Sequence, residues 1–148
     1  MLDGSHPPSS WQGRLTVSSA IQTLLPFSVS VHHLGLFREK FSLQPVEYYN
    51  NLPQSQSAVS KLAIVVDPVI ATGGTAVAAI QTLREWGVEQ IIFIGVLAAL
   101  PGITTAAREW PEGTQIWVGG LDNALTDKGY IQPGLGDIGD RLFLTLGK

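Results

Sequence analysis

Between Ala63 and Thr75 the chain reads Ala-Ile-Val-Val-Asp-Pro-Val-Ile-Ala-Thr-Gly-Gly-Thr, and this stretch limits the available folds more than any other. Leu62 to Val66 is a near-continuous apolar run, the pattern of a parallel strand buried on both faces. It ends in a carboxylate, Asp67. A small, glycine-bearing loop follows. Thr75 to Trp86 then repeats apolar residues at helical spacing through Ala76, Ile80 and Leu83, with Val77 and Ala79 beside them, until Gly87 supplies a stop. An acid at the carboxyl end of a strand sits where open α/β sheets bind ligands. The N–H groups and hydroxyls of Thr72, Gly73, Gly74 and Thr75 suit a phosphate. The helix N-terminus adds about half a positive charge. A hydroxyl-binding acid followed by a phosphate cradle points to a phosphorylated ribose. The competing reading is an ordinary strand-to-helix turn with Thr75 as its N-cap. Gly-Gly-Thr alone does not separate the two; the acid five residues upstream of Thr72 favours the ligand. No Gly-Lys-Ser/Thr follows, so the loop is not a P-loop.

The rest of the chain extends this strand–helix unit into an α/β domain. Ile91 to Leu97 predicts a second buried strand, Thr104 to Trp110 a short helix stopped by Pro111, and Gln115 to Val118 a third strand. Strands alternating with helices give right-handed parallel crossovers, hence a parallel sheet flanked by helices. Upstream, Thr16 to Leu25 predicts a short helix and Val29 to Phe37 a strand. Pro45 to Leu52, with Phe41 to Leu43, predicts a protruding hairpin, and Pro53 to Ser60 a polar linker. Residues 1–15 read as a disordered or irregular lead-in to a single domain over 16–148. The 148 residues suffice for one real core.

Only 14% of residues are charged, against roughly 25% in an average globular protein. That scarcity suggests a buried sheet, an oligomer interface, or both. A net charge of −3 argues against a nucleic-acid partner. Without cysteines there are no disulfides or thiolate metal sites. No apolar run reaches the roughly 18 residues of a membrane span, and Met1 to Gly13 lacks the pattern of a secretory signal. A cytoplasmic location is the expectation.

Val66-Asp67-Pro68-Val69-Ile70-Ala71-Thr72-Gly73-Gly74-Thr75 resembles the phosphoribosyl-pyrophosphate loop of the type I phosphoribosyltransferases. Asp-Pro, where most of that superfamily has two acids, resembles the uracil phosphoribosyltransferases in particular. Gly129-Tyr130-Ile131-Gln132-Pro133-Gly134-Leu135-Gly136-Asp137-Ile138-Gly139-Asp140-Arg141 is similar to that family's C-terminal uracil-binding segment. The formal G-x-G-x-x-G at Gly134, Gly136 and Gly139 is not a dinucleotide fingerprint, because no helix and crossover follow. A glycine-rich loop can instead turn backbone N–H and C=O groups onto a planar base. Leu34-Gly35-Leu36-Phe37-Arg38-Glu39, with Gln44 to Asn50, resembles the family's strand ending in an arginine and its β-arm.

The resemblance implies conversion of uracil and 5-phosphoribosyl 1-diphosphate to UMP and diphosphate. Arg38, Asp67, Pro68, Val69, Ile70, Ala71, Thr72, Gly73, Gly74, Thr75 and Asp137 would bind the phosphoribosyl substrate. Ile131, Gly136, Asp137 and Ile138 would bind uracil. Asp67 and Asp137 would stand nearest the chemistry. Isoleucine at 138 departs from the family's usual alanine. Mg2+ would be carried by substrate oxygens rather than by a protein metal site. The resemblance also implies a homo-oligomer, a dimer through the β-arm, and GTP as an allosteric effector. It covers about Ile21 to Thr145. Complete members carry a further N-terminal segment with a core strand and an Arg-Ala-Gly diphosphate loop, so the expectation is an N-terminally truncated member. A non-catalytic nucleotide-binding homologue or regulatory subunit partner is the alternative.

Four further groups of residues have candidate roles. His32 and His33 point to opposite faces if they lie on a strand, so they cannot share a metal. Ala98 and Ala99, small residues at a strand's end, would leave room for a base. Asp122, Asp127 and Lys128 read as solvated loop residues, and Trp86, Trp110 and Trp117 as core or interface.

Overall fold

The computed structural model describes residues 18–38, 45–53, 59–136 and 141. Residues 18–24 are helical (α1). The elements that follow are β1 (Leu34–Arg38), β2 (Pro45–Asn50), β3 (Leu62–Val66), β4 (Val69–Ile70) and α2 (Gly74–Trp86). After them come β5 (Gln90–Ala99), α3 (Leu100–Glu109), β6 (Thr114–Asp122), β7 (Ala124–Leu125) and β8 (Ile131–Gln132).

The central sheet is parallel, as the alternation of strands and helices predicts. β5 lies in its middle, with β6 on one side and β3 followed by β4 on the other. Asp67-Pro68 interrupts the β3 edge without shifting its register: Val66 faces Ile94 and Val69 faces Leu97. Proline has no N–H to give the ladder and is tolerated at such an edge. The Asp67 N–H reaches the Ile94 carbonyl at 3.1 Å, and the Pro68 carbonyl accepts from Val96 and Leu97 at 3.0 and 3.1 Å. Pairing with β5 therefore continues for four residues beyond the expected strand end, through Ile70.

α2 buries Ala76, Ala79, Ile80 and Leu83 against the sheet, an i, i+3, i+4, i+7 stripe. Phe93, Ile80 and Ile91 are the largest fully buried side chains of the core. Gly87 closes the helix in the left-handed conformation at φ 106°, its N–H donating to the Leu83 and Arg84 carbonyls.

Three boundaries differ from expectation. β5 and β6 both run longer, and α3 begins directly at the end of β5, four residues before Thr104. Proline is acceptable in a helix's first turn, where its missing N–H would be unpaired anyway; Pro101 occupies that turn. The tail after Gly119 is not all loop: β6 runs through Asp122, and β7 and β8 form a small antiparallel hairpin.

The expected hairpin is described only in part. β2 pairs antiparallel with β1, Leu34 opposite Asn50 and Arg38 opposite Pro45; residues 41–43, the expected partner, lie outside the described residues. On β1, Leu34 and Leu36 pack against the core. Trp86 ties this region down. Its indole N–H donates to the Pro53 carbonyl at 2.8 Å, and the His32 ring meets it edge-on at 6.1 Å. Trp86→Phe should lower the unfolding free energy by about 1 kcal/mol, the net worth of one such bond. A urea midpoint equal to the parent's would refute that role.

Trp86 and Trp110 pack partly buried against the core, whereas Trp117 on β6 is 62% exposed. The alternation of β6 sends Ile116 and Val118 inward and Trp117 and Leu121 outward. Among the described residues no helix is long and apolar enough to cross a membrane.

Candidate functional site

The site forms at the carboxyl edge of the sheet, where β3 breaks. Asp67, Val69, Ile70, Ala71, Thr72, Gly73, Thr75 and Ala76 line a small open cavity of about 70 Å3. Pro68, between β3 and β4, and Gly74, the first residue of α2, do not line it. Ile70 turns inward and is buried, which anchors the loop in the core. Asp67 is half-buried at the cavity wall.

The N-terminal end of α2 faces this cavity. Gly73, not Thr75, is the N-cap of α2, at φ 85° and ψ −9°. Gly73 has no side chain with which to cap, and the first turn carries no acidic residue. The first N–H groups of a helix lack intrahelical partners, and the aligned peptide dipoles place partial positive charge there. Thr75 therefore lies inside the first turn rather than capping it, and it lines the cavity.

A residue that sequence reasoning passed over holds this loop in place. A Cβ on Gly102 would sit 2.1 Å from the Ala71 carbonyl oxygen and 3.1 Å from the Gly73 nitrogen. A Cβ on Gly73 would meet the Gly102 carbonyl oxygen at 2.4 Å. The loop after β4 thus rests backbone-on-backbone against the first turn of α3, and neither side tolerates a side chain. The available signal was a glycine just beyond a strand's end, beside a loop that also needs glycine.

The second glycine-rich segment returns to the same edge. β7 packs near α3 and β8 near β5, and Leu125 pairs with Ile131. Ile131 is buried, so its side chain is a packing group. Ile131 and Gly136 do not line the cavity at Asp67. Asp137 and Ile138 lie outside the described residues. Arg38 ends β1 opposite Pro45, and only its backbone is described. Ala98 and Ala99 are fully buried and do not line the cavity, so they leave no open room for a base.

The decoys resolve locally. His32 Nδ1 lies 3.0 Å from the Asn51 carbonyl, beside Trp86 and away from the cavity. Among the described residues no group of three or more His, Cys, Asp or Glu could hold a metal. Asp122 is not merely solvated: its Oδ2 accepts from the Gly134 N–H at 3.0 Å.

Comparison with known proteins adds the family. The family model described as uracil phosphoribosyltransferase matches residues 14–145. The chain belongs to the uracil phosphoribosyltransferase family. It is 49% identical over 125 residues to the uracil phosphoribosyltransferase of Roseiflexus castenholzii, covering 84% of this chain and 58% of that one. With the enzyme of Dictyoglomus thermophilum the identity is 44% over 131 residues, covering 88% and 61%. A solved structure of an Aquifex aeolicus protein superposes with a TM-score of 0.75 at 34% identity, covering 89% of this chain and 61% of that one. The chain spans about three fifths of the length of the uracil phosphoribosyltransferases it matches.

Proposed function

We propose that this chain binds 5-phosphoribosyl 1-diphosphate and uracil and acts in forming UMP and diphosphate. The observation that carries the reading is the acid-free N-terminus of α2, opening on a cavity whose wall holds Asp67. Ala71 to Thr75 would hold the 5′-phosphate through backbone N–H groups and the two threonine hydroxyls. Asp67 would accept the ribose hydroxyls, while Pro68, Val69 and Ile70 set its position between sheet and loop. Arg38 would supply a planar fork for phosphate oxygens. Ile131 and Gly136, through their backbones, and Asp137 with Ile138, would face the base; Asp137 would also face the phosphoribosyl group.

In the reaction a bond forms between uracil N1 and ribose C1 as the bond from C1 to diphosphate oxygen breaks. Diphosphate leaves with the electron pair, and N1 loses its proton. The protein's part is positioning and electrostatic, with no covalent nucleophile.

Mg2+ needs near-octahedral oxygen donors, keeps several waters, and is commonly held by one or two carboxylates plus substrate phosphates. The carboxylate on the described cavity wall, Asp67, fits that pattern as a secondary partner to substrate oxygens. Bound there, the ion would neutralise charge on the departing diphosphate.

A cytoplasmic location, a homodimer through the β1–β2 arm and GTP as effector accompany this reading on family resemblance. Sedimentation with and without GTP tests the last two. The test of function is conversion of radiolabelled uracil with 5-phosphoribosyl 1-diphosphate and Mg2+, alongside calorimetric titration of ribose 5-phosphate. UMP formation together with ribose 5-phosphate binding is expected. Ribose 5-phosphate binding without turnover would favour a nucleotide-binding homologue, and absence of both would refute the site.

A further inference from the structure

Asp122 ends β6, paired with Ala99 at the carboxyl edge of the sheet. It is half-buried, and its Oδ2 accepts the backbone N–H of Gly134, twelve residues on. That glycine sits in a tightly wound turn. Its φ is +46°, and a Cβ there would stand 2.1 Å from the Ile131 carbonyl oxygen. Ile131 is itself pinned, by burial of its side chain and by pairing with Leu125. The turn from Ile131 to Gly136 is therefore fixed at one end by β8 and at its bend by one carboxylate. Gly136 is also at positive φ (69°), and among the described residues no atom lies within 4 Å of where its Cβ would stand.

We propose that Asp122 is the positioning residue of the base-recognition segment. It holds the bend at Gly134 so that the backbone from Ile131 to Gly136 presents its N–H and C=O groups in one arrangement. This rests on the reading of that segment as the uracil site. A bond to an ionised acceptor is shorter and stronger than a neutral one, and a loop that reads a flat base through its backbone tolerates little displacement. Asp122 touches neither base nor sugar in this role. It acts through Gly134.

Three variants test it: Asp122→Ala, Asp122→Ser and Asp122→Asn. Uracil and ribose 5-phosphate are titrated separately, and amide exchange at Gly134 is followed by NMR. Alanine and serine cannot reach the Gly134 N–H, so uracil affinity should fall about tenfold or more. Ribose 5-phosphate affinity should stay within about twofold, because the loop at Asp67 is held by Gly102 instead. Asparagine keeps an acceptor oxygen in place and should restore uracil affinity to within about threefold. Gly134 amide protection should drop with alanine and serine and persist with asparagine. Unchanged uracil affinity in Asp122→Ala or Asp122→Ser, beside a parent that binds uracil, would overturn the positioning role alone. Equal loss of both ligands would reduce Asp122 to a fold residue and overturn it as well. A parent that binds ribose 5-phosphate but not uracil would overturn the base-site reading, and this role with it.

Discussion

Gly102→Ala is expected to destabilise the protein by about 1–2 kcal/mol and to weaken its ribose 5-phosphate binding. In an ordinary helix, glycine to alanine gains roughly 0.5–1 kcal/mol, because alanine has less backbone freedom to lose. Here the sign reverses. The added methyl would stand 2.1 Å from the Ala71 carbonyl oxygen, with the Gly73 nitrogen at 3.1 Å. Both obstacles are backbone, so no side chain can rotate away. Either α3 lifts from the sheet or the loop at 71–73 lifts from α3. Overpacking of this kind typically costs about 1–3 kcal/mol, and it also cancels the helix-propensity gain. The loop is the more yielding partner, since Ala106 and the rest of α3 are anchored in the core. Displacing it moves the N–H groups at the start of α2, so ribose 5-phosphate affinity should fall by at least tenfold. Thermal melting and calorimetry on the same sample measure both effects. Thr104→Ala, which removes only an exposed hydroxyl bonded to the Leu100 carbonyl, is the control and should shift stability by less than about 0.5 kcal/mol. A Gly102→Ala protein that melts and binds like the parent would show that the loop has other room.

Asp67→Asn should weaken ribose 5-phosphate by about 1–3 kcal/mol, the scale of hydrogen bonds to a charged acceptor. That is roughly five- to 150-fold in dissociation constant. The substitution preserves size and removes charge. An amide offers one acceptor oxygen where the carboxylate offers two, so a diol can no longer donate to both. Inorganic phosphate, which needs only the loop and the helix end, should bind with little change. His32→Gln should leave both affinities within about twofold, because His32 meets Asn51 and Trp86 rather than the cavity. If the histidine variant loses ribose 5-phosphate and Asp67→Asn retains it, the cavity at Asp67 is not the sugar site.

Periodicity made much of the fold legible. The stripe Ala76, Ile80, Leu83 marked α2, and the apolar runs at Leu62 and Ile91 marked the parallel strands. Errors gathered where local rules carry two meanings. Pro101-Gly102 reads as a break, yet proline suits a first helical turn and glycine was needed for contact with another chain segment. Pro68 reads as a strand's end, yet at an edge the ladder passes around it through the Asp67 N–H and Pro68 carbonyl.

The sequence by itself determined the chemistry: an acid, a small loop and a helix start in one contiguous stretch, and a second glycine-rich segment near the other end. These are legible because each works through neighbours within a few residues, where spacing is geometry. Tertiary structure decided what holds the two segments in place. Gly102 lies about thirty residues beyond the loop it seats, and Asp122 twelve before the turn it fixes. Such contacts form only when β5 carries the chain back across the sheet and β6 ends beside it. Nothing in the local pattern of either residue distinguishes it from a helix breaker or a solvated acid, because its role exists only in the partner the fold brings to it.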